Sequence, residues 1–281
     1  MVKQMIYIHL LLANIIWGLN VIVTKLNYDY FHPMFLTMLK LLFSILSLMV
    51  FIYHKKIAFE KVSLKKLFLQ TNFINVINFL LTYYALQFVD GTMTATINSL
   101  APASMFLIAT SFSKWNFKIF FSLCMTICGF LCAIHFRVFD IDKGILFLVI
   151  ALFVYNFGNY KLKNTSHNPY IYNLYLLIIA FFEFIILLFF VKEQLFTQVN
   201  TLRFWLFILT SGIGYAYIQC IYLSSIQVIG PLKTSFFMAF NPVFTYLFSL
   251  FFLKEKIDFF ILVGFLIIFM ASFYFISKKQ N

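Results

Sequence analysis

Long apolar segments separated by short polar stretches run along the whole chain of 281 residues. A helix needs about 20 predominantly apolar residues to cross the hydrocarbon core of a bilayer. We interpret ten segments as such spans: residues 4–25, 34–53, 67–88, 92–112, 117–135, 144–160, 170–191, 204–224, 231–253 and 258–276. The pattern therefore predicts an all-α membrane protein with ten transmembrane helices joined by short loops.

The last five predicted spans repeat landmarks of the first five in the same order. A tyrosine, a turn glycine and a proline recur at similar spacings: Tyr84, Gly91 and Pro102, then Tyr222, Gly230 and Pro242. Because each set contains an odd number of spans, the two sets must run in opposite directions across the membrane. The sequence thus predicts two inverted five-helix repeats, residues 1–138 and 139–281, an arrangement that recurs among transporters.

The composition agrees with this reading and excludes several classes of protein. Hydrophobic residues make up 63% of the chain and charged residues 11%, whereas a soluble domain has about 25% charged residues. Three of the four cysteines, Cys124, Cys128 and Cys132, follow each other at helical spacing on one apolar span, where packing explains them better than a metal or a disulfide. The chain contains no nucleotide-binding P-loop and no hydrolase or zinc-protease motif, so we expect no enzyme activity, no cofactor and no metal.

The net charge of +12 could indicate a protein that binds nucleic acid. The placement of the basic residues decides between that interpretation and a role in membrane orientation. With a cytoplasmic N-terminus, 12 of the 21 lysines and arginines fall in inside segments, six fall outside and three lie within spans. This bias predicts an inner cell membrane protein with both termini in the cytoplasm. The expected partners are then the lipid bilayer and a small-molecule substrate, and no nucleic acid.

Pro102 and Pro242 lie about ten residues into their spans, which is roughly 15 Å and near the membrane midplane. Proline inside a helix removes a hydrogen bond and bends or breaks the helix. Paired breaks at matching positions of two repeats are the best sequence indicator of a central binding site. The alternative is a pair of kinks that serve only packing.

Polar side chains form stripes on several spans, which predicts either a wet cavity or hydrogen bonds between helices. One stripe runs through Asn75 and Asn78, and its repeat partner runs through Tyr215, Gln219 and Tyr222. Aromatic and amide residues on the first and sixth spans would complete a lining. The expected substrate-binding residues are Trp17, Asn20, Lys40, Asn75, Asn78, Asn98, Tyr155, Asn159, Tyr215, Gln219 and Tyr222.

Lys40 and Glu183 lie at similar depth in the second and seventh spans, about 10–12 Å from one end. A charge at that depth usually faces the protein interior or a partner. We hypothesise that these two residues pair, directly or through water, and either help to close the outer side or bind the two ends of a zwitterionic substrate. The structural alternatives are that the Lys40 side chain extends to the membrane surface and that Glu183 is a protonated carboxyl group within the bundle. Lys25, at the end of the first span, is a second candidate gate residue.

Short motifs at several positions resemble the EamA-type transporters of the drug/metabolite transporter superfamily. They are Trp17-Gly18-Leu19-Asn20 followed by Lys25 and Pro33, and Asn241-Pro242 followed by Leu253-Lys254-Glu255-Lys256-Ile257. The chain departs from the family at Lys40, where arginine is frequent, and at Ser113-Lys114-Trp115, where Gly-Glu is frequent. The resemblance implies a ten-helix secondary carrier, in a family whose members export amino acids and other metabolites or take up small nutrients. We expect this chain to export amino acids or related compounds. Nutrient uptake is the alternative, and a lipid-modifying membrane enzyme is a third, weaker reading.

Overall fold

The computed structural model describes residues 2–28, 30–89, 91–109, 117–135, 143–192, 194–197, 201–254 and 258–277. Within these ranges the regular structure is helical, apart from one isolated bridge between Phe31 and Phe196. The α-helices are α1 (Val2–Asn27), α2 (Pro33–His54), α3 (Leu64–Thr71), α4 (Ile77–Ala85), α5 (Gly91–Asn98), α6 (Ala101–Ala109), α7 (Phe117–Ala133), α8 (Lys143–Lys161), α9 (Pro169–Leu188), α10 (Thr201–Phe207), α11 (Gly214–Ile229), α12 (Pro231–Met238), α13 (Asn241–Phe252) and α14 (Phe259–Ser277). The predicted boundary between repeats, at residues 138 and 139, lies outside the described residues.

Seven helical segments in the described ranges are long and apolar enough to cross a membrane, and Met93–Ala109 and Phe117–Ala133 are shorter apolar helices. The helical stretch from Leu64 to Ala85 is long enough but more polar, because it carries two lysines and three asparagines. The chain is therefore a multi-pass membrane protein. The count of ten spans stays a prediction.

The two halves of the chain exchange their first helices. Helix α1 packs against α11 and α13 of the second half, and α8 packs in turn against α4 and α6 of the first half. Equivalent helices also pair with each other, α2 with α9 and α7 with α14. This reciprocal packing places the centre of the molecule at the boundary between the two halves, where both contribute side chains.

Helices α7 and α14 meet at two glycines. A Cβ atom on Gly129 would lie 2.7 Å from the Gly264 carbonyl oxygen, and a Cβ on Gly264 would lie 2.5 Å from the Gly129 oxygen. Lipid tails are as apolar as the helix surfaces, so helices in a membrane associate through close packing of small residues. The two glycines allow the backbones to touch.

The predicted helix breaks are present, and each precedes its proline. The helical path between α5 and α6 is interrupted at Ser99 and Leu100, and the path between α12 and α13 at Ala239 and Phe240. Pro102 and Pro242 each occupy the second position of the helix that follows. Proline is tolerated there because the first-turn amides of a helix have no partner within that helix. The helix therefore breaks before each proline, and neither proline lies in the interior of a helix.

Two π-helical segments interrupt the third and eighth predicted spans at similar positions, Asn72–Val76 and Ile208–Ile213. Such a segment disturbs the regular hydrogen bonding of the helix, and polar backbone in lipid needs partners. Asn20 of α1 donates its amide to the Thr210 carbonyl at 3.1 Å, and Ser44 of α2 donates to the Gly212 carbonyl at 2.7 Å. The second segment is thus fixed by two neighbouring helices.

Candidate functional site

A cavity of about 150 Å³ lies between the two halves. Its mouth is formed by Tyr28, Pro33 and Leu86, which lie at or just beyond the ends of α1, α2 and α4. Its floor is formed by Trp17, Tyr155 and their neighbour Gln219, which are the lining residues farthest from the mouth on α1, α8 and α11. The cavity therefore reaches from one end of the bundle to the middle of the helices.

Both halves supply the cavity wall. Residues of α1 and α4 recur at helical spacing, so that each helix presents one face. The first half contributes Trp17, Asn20, Val21, Thr24, Lys25, Leu36, Thr37, Lys40, Asn78, Phe79, Thr82, Tyr83, Thr94 and Asn98. The second half contributes Leu148, Ala151, Leu152, Tyr155, Phe207, Tyr215, Gln219 and Met238. Asn98 is the last residue of α5 and Met238 the last residue of α12, the two helices that end at the breaks. Both line the cavity, so equivalent positions of the two repeats meet at one site.

Lys40 is held in the wall by aromatic faces. Its Nζ lies 3.9 Å from the centroid of the Tyr215 ring and 4.5 Å from that of Phe79. A ring face attracts a cation but does not neutralise it, and the interaction contributes about 0.5–2 kcal/mol. Lys40 is thereby fixed beside the cavity, and its contacts there are ring faces and not a carboxylate.

Positive charge dominates the part of the cavity that the structure describes. Lys25 and Lys40 both line it, and its described lining contains no aspartate or glutamate. At the mouth, burial and, to a smaller extent, the nearby Tyr83 raise the pKa of the Tyr28 hydroxyl above its usual range. Tyr28 is therefore a neutral group, and the electrostatics of the described wall come from the two lysines.

A layer of buried contacts closes the molecule beneath the floor. The Trp17 indole meets the Tyr155 and Tyr222 rings edge to face, at centroid distances of 6.3 and 5.5 Å. The Tyr222 hydroxyl donates to Asn14 Oδ1 at 2.9 Å, and Asn14 is fully buried. On the other side, Asn156 donates to the Ala101 carbonyl beside the first helix break at 3.1 Å. The floor thus separates the cavity from the opposite end of the bundle.

A chain of polar contacts follows the wall from Lys40 to the floor. The Tyr215 hydroxyl donates to Asn75 Oδ1 at 2.8 Å and accepts from Gln219 Nε2 at 2.7 Å. Tyr155 is 5% exposed, and its hydroxyl lies near Asn159 and Gln219 but makes no well-formed hydrogen bond with either. The hydroxyl oxygen itself is covered by protein atoms, so it belongs to the packing of the floor and not to the open cavity.

The structure brings together most of the side chains that the sequence singles out. Eight of the eleven expected binding residues line the cavity: Trp17, Asn20, Lys40, Asn78, Asn98, Tyr155, Tyr215 and Gln219. Asn75, Asn159 and Tyr222 are buried one layer behind, where they hold wall and floor residues. Their role in binding substrate stays a prediction.

The structure describes both Lys40 and Glu183 and shows no direct ion pair between them, whereas a pair through water and a role in gating stay predictions. Glu183 Oε1 accepts from Asn72 Nδ2 at 3.2 Å, at the contact between α9 and the first π-helical segment. Glu183 lies outside the cavity lining, whereas Lys25, the other expected gate residue, is part of it. Lys40 Nζ lies over the Phe79 ring, whereas the Glu183 carboxylate contacts Asn72, seven residues earlier in the same predicted span.

Sequence reasoning missed several wall residues and the segment beside the mouth. Phe79 and Met238 carry no polar signal, and Thr94 is a common residue for a helix near a turn. Near the mouth, the His32 amide donates to the Leu195 carbonyl at 2.9 Å and the Thr197 amide to the Tyr30 carbonyl at 2.9 Å. This short pairing joins the α1–α2 and α9–α10 connections, which no periodicity in either loop indicates.

Known proteins match this chain in family and in fold. A family model described as the EamA-like transporter family matches residues 4–134 and again residues 142–277. No curated protein matches the sequence. A solved crystal structure superposes with a TM-score of 0.74 at 10% identity, covering 96% of this chain and 94% of the other. That likeness shows the fold alone.

Proposed function

The chain belongs to the EamA-like transporter family, and from that membership we propose that it is a secondary carrier of small polar metabolites. Its proposed activity is export of amino acids or related compounds across the inner cell membrane. The observation that carries the proposal is the cavity, because it lies between the halves, ends midway along the helices and adjoins both helix breaks. Binding sites of repeat-built carriers occupy this position.

The proposed mechanism is alternating access between two inverted halves of five spans each. In the state described, the cavity reaches the end of the bundle that holds Tyr28 and Pro33, and the layer of Tyr222 and Asn14 closes the other end. Transport requires that this layer separate while the mouth closes. The exchanged packing of α1 and α8 allows one half to rock against the other around a fixed site.

We place the mouth outside the cell and both termini in the cytoplasm, following the distribution of basic residues. Lys192 and Lys163 are exposed on connections at opposite ends of the bundle, so they form a matched pair for a topology test. In a variant whose four cysteines are replaced by serine, Lys192→Cys is expected to react with a membrane-impermeant maleimide in intact cells. Lys163→Cys is expected to react only after permeabilisation. The reverse pattern would place the termini outside.

A carboxylate well inside a predicted span is a candidate for proton coupling, which makes Glu183 one, but its position outside the cavity predicts that it is dispensable for binding. Glu183→Gln keeps an oxygen that accepts from Asn72, so we expect initial transport rates within about twofold of the parent protein. Rates in proteoliposomes, measured with and without a pH gradient, provide the check. A loss of pH-driven transport in this variant would instead restore Glu183 as the coupling group.

The direct test of the carrier compares metabolite pools inside and outside cells that lack the gene or overexpress it. Export predicts that the substrate accumulates inside the deletion strain and outside the overexpressing strain. Uptake, the second candidate, predicts depletion inside the deletion strain. Unchanged pools in both strains would reject the carrier. Conversion of lipid by the purified protein would support the enzyme reading instead.

A further inference from the structure

We propose that the cavity selects a small monocarboxylate whose second polar group is uncharged, such as a hydroxy acid, over zwitterionic amino acids. This inference rests on the proposed carrier function and narrows its substrate class from amino acids and related compounds to related acids that carry no ammonium group. It follows from two features of the described cavity lining: lysines for which the described residues supply no counter-ion, and polar side chains beside them that are uncharged.

The first feature is the free charge of Lys40. Its Nζ contacts two ring faces, and neither of the His–carboxylate ion pairs in the described residues involves it. Lys25 adds a second positive charge to the same lining, and the described lining contains no carboxylate. A charge removed from water needs an opposite charge or hydrogen bonds. A substrate carboxylate would supply the missing partner through a charge-assisted hydrogen bond.

The second feature is the remaining polar lining. It consists of amide and hydroxyl side chains, among them Asn78 and Asn98 of the first half and Gln219 of the second. An amide can donate and accept without carrying charge, and such groups therefore suit a hydroxyl or carbonyl group on the substrate.

The same features disfavour an ammonium group. A zwitterion would place its cation in a cavity that already holds Lys25 and Lys40, where like charges repel it. The floor offers the rings of Trp17 and Tyr155, and a cation–π contact is weaker than a carboxylate partner. The site can therefore distinguish an acid from its amino analogue through charge alone.

The test uses four ligands that share one three-carbon skeleton: lactate, lactamide, alanine and protonated 1-amino-2-propanol. Binding to the purified protein in detergent is measured by calorimetry, with thermal stabilisation as a second readout. We expect lactate to bind at least about tenfold more tightly than each of the other three. Equal or tighter binding of alanine or the aminopropanol overturns the inference, and so does the absence of lactate binding.

A variant assigns the selectivity to Lys40. Lys40→Met is expected to remove the preference for lactate over lactamide. Lys163→Met, at an exposed position away from the cavity, is the matched control and is expected to bind as the parent does. Lactate preference that survives Lys40→Met overturns the assignment of the carboxylate site.

The inference and the carrier proposal fail in different experiments. Metabolite pools that change for an amino acid or a cation would leave the carrier intact and reject the anion-selective cavity. Tight lactate binding together with unchanged pools would support the cavity's selectivity and reject transport.

Discussion

Replacing Trp17 with alanine is expected to lower the initial rate of transport by about 100-fold. The indole forms the cavity floor and packs edge to face against Tyr155 and Tyr222. Truncating a packed tryptophan costs about 3–5 kcal/mol, and about 2.7 kcal/mol in the binding-competent state is already a factor of 100. Without the indole the cavity floor is open, and substrate is no longer enclosed. Counterflow in proteoliposomes with the substrate found from the pool comparison measures this loss.

Trp205 provides the matched control for this substitution. It is 65% exposed on α10, so Trp205→Ala removes the same side chain from a surface rather than from the floor. We expect Trp205→Ala to transport at a rate close to that of the parent protein, and Trp17→Phe to retain part of the activity because a ring still covers the floor. Normal transport by a folded Trp17→Ala protein would show that the floor lies elsewhere.

Replacing Gly264 with valine is expected to destabilise the fold by about 3 kcal/mol or more. A Cβ at this position would meet the Gly129 oxygen at 2.5 Å and the Ala133 amide nitrogen at 2.7 Å. These are backbone atoms of α7, so no side chain can rotate away, and the two helices must separate. The apparent melting temperature in detergent and the yield of monodisperse protein should both fall.

Met270→Val on the same helix serves as the comparison, because Met270 is 54% exposed and faces away from the packed core. It introduces the same side chain without entering the contact between α7 and α14. We expect its melting temperature to stay near the parent value. If Gly264→Val melts at the parent temperature, the close contact of the two helices is not what stabilises this pair.

The sequence predicted the features of the fold that depend on composition and spacing. Apolar segments of about 20 residues identify membrane helices because the bilayer fixes their length. Pro102 and Pro242 located the breaks to within three residues, because proline is excluded from most helix interiors. The π-helical segment Asn72–Val76 has no comparable signal, since its residues are also common in α-helices. It forms through packing against other helices, and the sequence of the segment alone does not reveal those contacts.

The sequence predicted which helices carry polar residues of the site but not which way each side chain faces. Lys40 lies in the cavity wall, whereas Glu183 lies outside it and contacts Asn72. Residue spacing along a helix gives its height, whereas the rotation of one helix against its neighbours depends on packing across the whole bundle. The same limit explains Tyr222, which belongs to the polar stripe but lies behind the floor.

The charge of the described cavity wall has a consequence for energetics. A monocarboxylate that crosses through a cavity whose lysines stay with the protein carries one net negative charge per cycle. The transport is then electrogenic, and an inside-negative potential of 100 mV drives such an anion outward with about 2.3 kcal/mol. That free energy sustains an anion concentration outside the cell about 50 times the concentration inside. An exporter of this design would draw its driving force from the membrane voltage itself, without a co-transported ion.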